Sequence, residues 1–105
     1  MISAWIALPI AADHPAFSGH FPGAPIVPGV VLLDEALFAI GNAIGKNVSA
    51  CQIGALKFLS PVAPGEPVQV QYAMQANGAI RFDIASAARK VATGSIRALD
   101  AESPA

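Results

Sequence analysis

A mainly apolar segment from Val30 to Ile44, interrupted by Asp34, Glu35 and Asn42, constrains the fold of this chain more than any other feature of the sequence. Pro28-Gly29 precedes the run and Gly45 follows it, which is typical of the two ends of a helix. Its length favours a helix over a strand, and its hydrophobicity on nearly every side is typical of a buried helix. We therefore expect one central helix against which the rest of the chain packs.

The sequence on either side of this run is patterned as strands. Alternating apolar and polar residues predict antiparallel strands, and Asn77-Gly78 predicts a tight hairpin. A further turn is expected near Arg89, and Pro9 ends the first strand. The predicted strands cover residues 2–9, 55–62, 68–75, 79–87 and 90–99. One helix followed by such a meander is an α+β arrangement, with the antiparallel sheet wrapped around the helix.

The chain length and composition predict a single domain that associates with other chains. Its 105 residues suit one domain, 1–105, with an ordered core over 1–99 and a frayed tail over 100–105. Hydrophobic residues make up 54% of the chain and charged residues only 12%. A domain of this size cannot bury that much apolar surface alone, so we expect a homodimer or an assembly of dimers.

Charge and cysteine content argue against several classes of protein. The net charge is −1 and the six basic residues are scattered, which predicts neither nucleic-acid binding nor a polybasic membrane contact. No apolar run reaches the roughly 18 residues of a spanning helix, and no basic signal-peptide start is present. The lone Cys51 excludes an internal disulfide and predicts a small buried residue in a reducing cytoplasm.

Proline recurs every third residue from Pro22 to Pro28, just before the predicted helix. This spacing is that of a polyproline II helix, which could be a solvated ligand for a proline-recognition domain. The apolar residues between the prolines, such as Phe21 and Val27, favour a stiff segment packed against the protein instead. In that interpretation the prolines hold His20, a side chain that can act as a base near pH 7, in one place.

The predicted helix begins without a capping side chain. Neither proline nor glycine has a side chain that can accept a hydrogen bond from the first backbone N–H groups, and Gly29 allows another group to approach closely. A carbonyl oxygen that gains negative charge would suit these N–H groups and the helix dipole. Water or a neighbouring loop carbonyl could satisfy them equally well, so the pattern alone leaves both interpretations open.

Two adjacent acids follow on the same helix. Asp34 shares a helix face with Val30 and Phe38, and apolar surroundings would favour a protonated carboxyl that can donate its proton. The alternative for either acid is a charge at a solvated edge that complements the helix dipole. We assign that second role to Glu35.

Residues 19–37, GHFPGAPIVPGVVLLDEAL, resemble the signature of the bacterial 3-hydroxyacyl-[acyl-carrier-protein] dehydratases, which have a hotdog fold. The shared pattern is His-Phe-Pro-Gly-x-Pro-x-x-Pro-Gly, followed by an acid fourteen residues after the histidine, here Asp34. Aspartate at that position is typical of the branch that also isomerises the product. ALKFLSPVAPGE resembles the next strand and turn of the family, so the similarity extends from about His14 to Leu99.

The resemblance implies a division of labour among three residues. His20 would remove the proton α to the thioester carbonyl, the Gly29 N–H would hold the carbonyl oxygen, and Asp34 would protonate or orient the departing 3-hydroxyl. The histidine and the acid of one site would come from different subunits of a dimer. The substrate would be a fatty acyl thioester on the phosphopantetheine of an acyl carrier protein, and neither a metal nor a bound cofactor is implied. The residues implied to contact the substrate are Phe21, Gly23, Pro28, Val30 and Phe38.

Two departures from the family pattern keep other functions open. Phe38 stands where the family usually has glutamine, four residues after the acid. The short N-terminus is similar to that of dehydratase-like proteins of specialised lipid pathways, such as those for aryl polyenes. A hotdog thioesterase could use Asp34 to activate water, and a non-catalytic partner subunit could bind an acyl chain while Phe38 blocks the chemistry.

Overall fold

The computed structural model describes residues 2–10, 27–46, 48, 51–87 and 89–98. Its elements are β1 (Ile6–Ala7), α1 (Gly29–Ile44), β2 (Cys51–Phe58), β3 (Gln69–Met74), β4 (Ile80–Ser86) and β5 (Arg89–Ala98). The five strands form one antiparallel sheet in the order β1-β3-β4-β5-β2, and α1 packs against it. The predicted α+β arrangement is confirmed.

Helix α1 begins one residue before the predicted start and ends at the predicted stop. Gly45 has the left-handed backbone conformation, with φ of 72°, and its N–H donates to the carbonyl oxygen of Gly41. The N–H of Lys46 donates to the same oxygen over 3.0 Å. These bonds satisfy a backbone carbonyl oxygen in the last turn of the helix. The left-handed conformation at this position explains why glycine follows the apolar run.

The helix is buried on one face only. Its buried residues are Val31, Leu32, Ala36, Leu37, Ile40 and Gly41. On the opposite face, Val30 is 64% exposed and Phe38 is 66% exposed. The expectation of burial on all sides is therefore wrong for the single chain, because the sheet covers only one side of α1.

The centre of the core lies on the inner face of β3, β4 and β5. Phe82, Ile84 and Ile96 are fully buried there, and Val70 faces Ile84 across the β3–β4 pair. The predicted alternation of β4 is confirmed, since its apolar residues point inward. In β3 the alternation weakens toward Met74, which is exposed at the end of the strand.

The predicted hairpin at Asn77-Gly78 is confirmed. Gly78 has a φ of 88°, and the N–H of Gln75 donates to the carbonyl oxygen of Ala79 over 2.8 Å. The turn predicted near Arg89 comes slightly earlier, at Ala87, which has a φ of 54°, and Arg89 opens β5.

Several predicted boundaries differ from the observed ones. β1 has two residues instead of eight, with one additional bridge between Ile2 and Ala73. β2 starts at Cys51, four residues before the predicted strand, and ends at Phe58. The predicted frayed tail and the proline-rich stretch over 11–26 lie outside the described residues. No helix in the part of the chain that the structure describes has the length and apolar character needed to cross a membrane.

The two edges of the sheet differ. One edge is the two-residue β1, and the other is the eight-residue β2. No described strand pairs with the outer side of β2, and most of its side chains are exposed. Its pairing with β5 shifts register between Ile53 and Ala55, which places a bulge at Gly54. A long edge of this kind is able to pair with another strand.

Candidate active site

The start of α1 has backbone donors without a side-chain cap, as predicted. Pro28 occupies the capping position, with φ −59° and ψ 142°, and no side chain of the described residues bonds to the helix start. The first intrahelical bonds run from the N–H groups of Val31 and Leu32 to the carbonyl oxygen of Pro28, over 3.0 and 3.3 Å. Among the described residues, none accepts a hydrogen bond from the N–H of Gly29. This end of the helix can bind an oxygen that gains negative charge.

Two contacts fasten the helix start to the segment that follows β2. The N–H of Val27 donates to the carbonyl oxygen of Val62 over 2.7 Å, and both residues are buried. Gly29 lies against the ring of Phe58, so that a Cβ at position 29 would be 2.7 Å from the Phe58 Cζ. A larger residue at position 29 would therefore displace the half-exposed Phe58 ring, in addition to hindering any ligand that approaches the helix start. The burial of Val27 agrees with the packed interpretation of the proline segment at its described end.

The two helix acids are exposed in the reverse of the predicted order. Asp34 is exposed, whereas Glu35 is half-buried. The expectation that Asp34 is sheltered and Glu35 solvated is wrong for the single chain. The reason is that Asp34 lies on the helix face of Val30 and Phe38, which the sheet leaves uncovered.

An open cavity of about 760 Å³ runs along the C-terminal part of α1. Its lining residues are Asp34, Glu35, Leu37, Phe38, Gly41, Asn42, Gly45, Lys46 and Val48. The cavity therefore brings together the predicted acid and Phe38, while Pro28, Gly29 and Val30 do not line it. Carboxyl groups lie at one end, Lys46 lies at the other, and apolar side chains lie between them.

Some of these lining residues escaped the sequence prediction. Asn42 lies four residues after Phe38 and eight after Asp34, and this helical spacing could have identified it. Lys46 and Val48 come after the helix, so helical periodicity gives no signal for them. Phe58 was missed as well, because its contact with Gly29 joins segments far apart in the sequence.

Three predicted site residues lie outside the described residues, namely His20, Phe21 and Gly23. The geometry between the imidazole and Asp34 therefore stays a prediction. The described residues contain no group of three or more His, Cys, Asp or Glu side chains that could hold a metal ion.

Cys51, at the start of β2, is half-buried instead of fully buried. Desolvation by burial raises the pKa of its thiol. The thiol is therefore protonated near neutral pH, and it packs against the edge of the core.

Comparison with known families and proteins identifies the group to which this fold and site belong. The model of the ApeI-like family, described as ApeI dehydratase, matches residues 2–95. The chain belongs to the ApeI dehydratase family. Curated relatives of this ApeI-like chain include two proteins named 3-hydroxyacyl-[acyl-carrier-protein] dehydratase FabZ. The one from Rhizobium rhizogenes is 38% identical over 73 residues, which is 63% of this chain and 46% of that protein.

The second relative, from Proteus mirabilis, is 33% identical over 84 residues, which is 70% of this chain and 56% of that protein. The chain thus spans about half the length of the curated relatives it matches. Their names agree with the resemblance in the proline-rich signature and support dehydration as the chemistry of the family.

Solved structures confirm the hotdog fold of this ApeI-like chain. The dehydratase heterocomplex ApeI:P from Xenorhabdus doucetiae matches 89% of this chain and 83% of its own, with a TM-score of 0.75 and 23% identity. The dehydratase domain of a mycocerosic acid synthase-like polyketide synthase covers 98% of this chain and 41% of its own, with a TM-score of 0.65 and 26% identity. A fluoroacetyl-CoA-specific thioesterase has the same TM-score of 0.65 at only 12% identity and shares the fold alone.

Proposed function

We propose that this chain catalyses the dehydration of a 3-hydroxyacyl thioester, carried on an acyl carrier protein, to the trans-2-enoyl thioester. The observation that supports this most strongly is the uncapped start of α1 in a chain whose family is that of ApeI dehydratase. Asp34 follows on the same helix and lines the cavity beside it. The sequence supplies the third group, His20, at the position that matches the family signature.

The proposed reaction is an elimination of water. His20 takes the proton from the carbon α to the thioester carbonyl, and the electron pair of that C–H bond moves toward the carbonyl. The Gly29 N–H binds the carbonyl oxygen as negative charge develops on it. The bond from C3 to the hydroxyl then breaks while Asp34 gives its proton to the leaving oxygen, so that water departs and a double bond joins C2 and C3. Proton exchange with solvent returns the histidine and the acid to their starting states.

The order of groups along α1 suggests how the substrate lies. The carbonyl would be held at Gly29, the hydroxyl at Asp34, and the remaining acyl chain along the cavity past Phe38. The apolar part of the lining, at Leu37 and Val48, suits a hydrocarbon chain. The reaction needs neither a metal nor a bound cofactor in this scheme.

The active form in this proposal is a dimer of two identical chains. The uncovered face of α1 carries the exposed apolar side chains of Val30 and Phe38, and the long edge strand β2 carries Ile53, which is also exposed. A second copy that covers these surfaces would bury the apolar excess of the sequence and shelter Asp34 from water. The solved ApeI:P structure is described as a heterocomplex. Assembly with a different partner chain is therefore the alternative, and a purified chain that sediments as a monomer would favour it.

The test is a turnover assay with 3-hydroxyacyl carrier proteins and detection of the products by mass spectrometry. We expect loss of water from the acyl group, and we expect His20→Ala to lower turnover by about a hundredfold or more. His14→Ala is the matched control, because the other histidine of the chain has no place in the scheme, and it should retain activity.

The same assay separates the competing functions. Release of free thiol without an enoyl product would identify a thioesterase and overturn the proposal. Tight binding of the acyl carrier protein without turnover would identify a non-catalytic subunit. An unchanged rate for His20→Ala would overturn the mechanism even if an enoyl product forms.

A further inference from the structure

The ring of Phe58 is packed against the backbone of the proposed oxyanion donor. A Cβ built at Gly29 would lie 2.7 Å from Phe58 Cζ and 3.0 Å from Cε1 and Cε2. These three ring atoms are the nearest neighbours of that position, so the edge of the ring fills the space beside Gly29. Phe58 is nevertheless 51% exposed, which means that half of the ring has no other partner among the described residues.

The backbone on both sides of this contact is fixed by hydrogen bonds. Phe58 pairs with Ala92 at the end of β2, and the next N–H, that of Leu59, donates to the carbonyl oxygen of Val91 over 2.7 Å. On the helix side, the bond from Val27 to Val62 lies two residues before Gly29. The backbone of Phe58 is thus held by the sheet, and its ring lies beside a helix start that no described side chain caps.

We propose that Phe58 is a positioning residue that fixes the direction of the Gly29 N–H toward the thioester carbonyl oxygen. The inference rests on the proposed function and adds a residue to its machinery. A hydrogen-bond donor stabilises a developing oxyanion only if its direction is correct before the reaction starts. The Pro28 carbonyl oxygen, in the same peptide as the Gly29 N–H, is held by bonds from Val31 and Leu32, and the aromatic edge beside Gly29 limits the tilt that these bonds still allow.

This role predicts a particular kinetic effect. The carbonyl oxygen carries more negative charge in the transition state than in the bound substrate, so a misdirected donor lowers kcat more than it raises KM. We expect Phe58→Ala to lower kcat about tenfold with less than about a twofold change in KM. Phe58→Leu keeps apolar bulk beside Gly29 and should recover a large part of the loss.

Leu59→Ala is the matched control, since Leu59 is adjacent in the sequence, is 50% exposed, and is not among the closest neighbours of a Cβ at Gly29. Its backbone bond to Val91 does not depend on the side chain, so its kcat should stay within about twofold of wild type. Equal kcat values for Phe58→Ala and Leu59→Ala would overturn the inference. So would a Phe58→Leu variant that is no better than Phe58→Ala.

A double-mutant cycle with Gly29→Ala tests the contact itself. The added methyl group would meet the Phe58 ring, so both single variants disturb the same peptide and their effects should not multiply. We expect kcat of the double variant to be no lower than that of the worse single variant. A double variant whose loss equals the product of the two single losses would contradict a shared role.

Failure of the inference can be told apart from failure of the proposed function. If wild type forms the enoyl product and His20→Ala does not, while Phe58→Ala matches wild type, only the role of Phe58 is overturned. If wild type forms no enoyl product, the proposed function fails and the positioning role fails with it. Thermal unfolding of each variant, followed by circular dichroism, verifies that the kinetic differences arise in folded protein.

Discussion

The two halves of this molecule differ in how fully a single chain buries their apolar side chains. The half built from β3, β4, β5 and the inner face of α1 is closed, and Phe82 in its centre is only 2% exposed. The half built from the outer face of α1 and from β2 is open, and Phe38 there is 66% exposed. The two phenylalanines have the same side chain but opposite environments.

The difference teaches where stability and chemistry reside. The closed half buries the apolar residues that hold the chain together. The open half contains the free helix start, Asp34 and the cavity, and its apolar surface exceeds what a single chain covers. When a second chain completes an active site, a single chain is expected to expose apolar surface beside that site, as this one does.

The largest expected effect is the contrast between the two phenylalanines in unfolding experiments. Phe82→Ala removes a ring from a packed core and should cost about 3–5 kcal/mol in the free energy of unfolding. Phe38→Ala should cost less than about 1 kcal/mol at protein concentrations where the chain is monomeric. Urea denaturation measured over a range of protein concentrations checks both values. If both variants lost the same free energy of unfolding at low protein concentration, the distinction between the closed and the open half would be wrong.

A charge on the open edge should break the proposed dimer. Ile53→Lys places an ammonium group on exposed apolar surface of β2, and it should raise the dissociation constant by about a hundredfold or more. Analytical ultracentrifugation measures this constant. Met74→Lys is the matched control, because Met74 is similarly exposed but belongs to β3, away from the free edge. A dimer that tolerates Ile53→Lys, or that fails equally with Met74→Lys, would place the interface elsewhere.

The closed half is also the part that sequence patterns predict best. The extent of α1, its glycine cap at Gly45, the hairpin at Asn77-Gly78 and the inward residues of β4 all follow from local periodicity and turn chemistry. These signals depend on neighbours a few residues apart. They can therefore be recognised in a single sequence.

The open half was predicted less well, for a physical reason. Apolar content predicted burial of α1 on every side, whereas periodicity cannot tell a face covered by the same chain from one covered by another. The exposure of Asp34 relative to Glu35 and the contact between Phe58 and Gly29 depend on where the sheet ends. The resemblance in the proline-rich signature identified the family, and it was needed to connect Gly29 and Asp34 to one reaction.

A smaller effect on the free energy of unfolding is expected at Gly41, where the two halves meet. A Cβ at this position would be 2.6 Å from the backbone carbonyl oxygen of Lys46, which cannot move without distorting the end of α1. Gly41→Ala should therefore lower the free energy of unfolding by about 1–3 kcal/mol. Asn42→Ala, at the neighbouring exposed position, should change it by less than about 0.5 kcal/mol. A stable Gly41→Ala variant in urea denaturation would show that the helix end is more adaptable than the packing indicates.

The smallest effect concerns an exposed cluster that links the segment after β2 to the turn between β4 and β5. The nearby Ser86 hydroxyl, a hydrogen bond from the backbone N–H of Ala63 and one from Arg89 lower the pKa of Glu66. A lowered pKa in the folded state contributes stability above the unfolded pKa, and this contribution is lost as pH falls through the folded value. Glu66→Gln should be slightly less stable than wild type near neutral pH, and the two proteins should converge in acid. Thermal midpoints that differ equally at neutral and acidic pH would contradict a role for the charge.

The central claim is that the site is completed by two chains, and mixing two inactive variants tests it most directly. His20→Ala and Asp34→Asn should each be inactive alone. After subunit exchange, a mixed dimer would contain one site with both native groups, and an equal mixture should recover about a quarter of wild-type turnover. Exchange is verified independently with chains that carry different mass labels. No recovery in a mixture that has exchanged would show that each chain supplies both groups of its own site, and the account of an open half completed by a partner would be wrong.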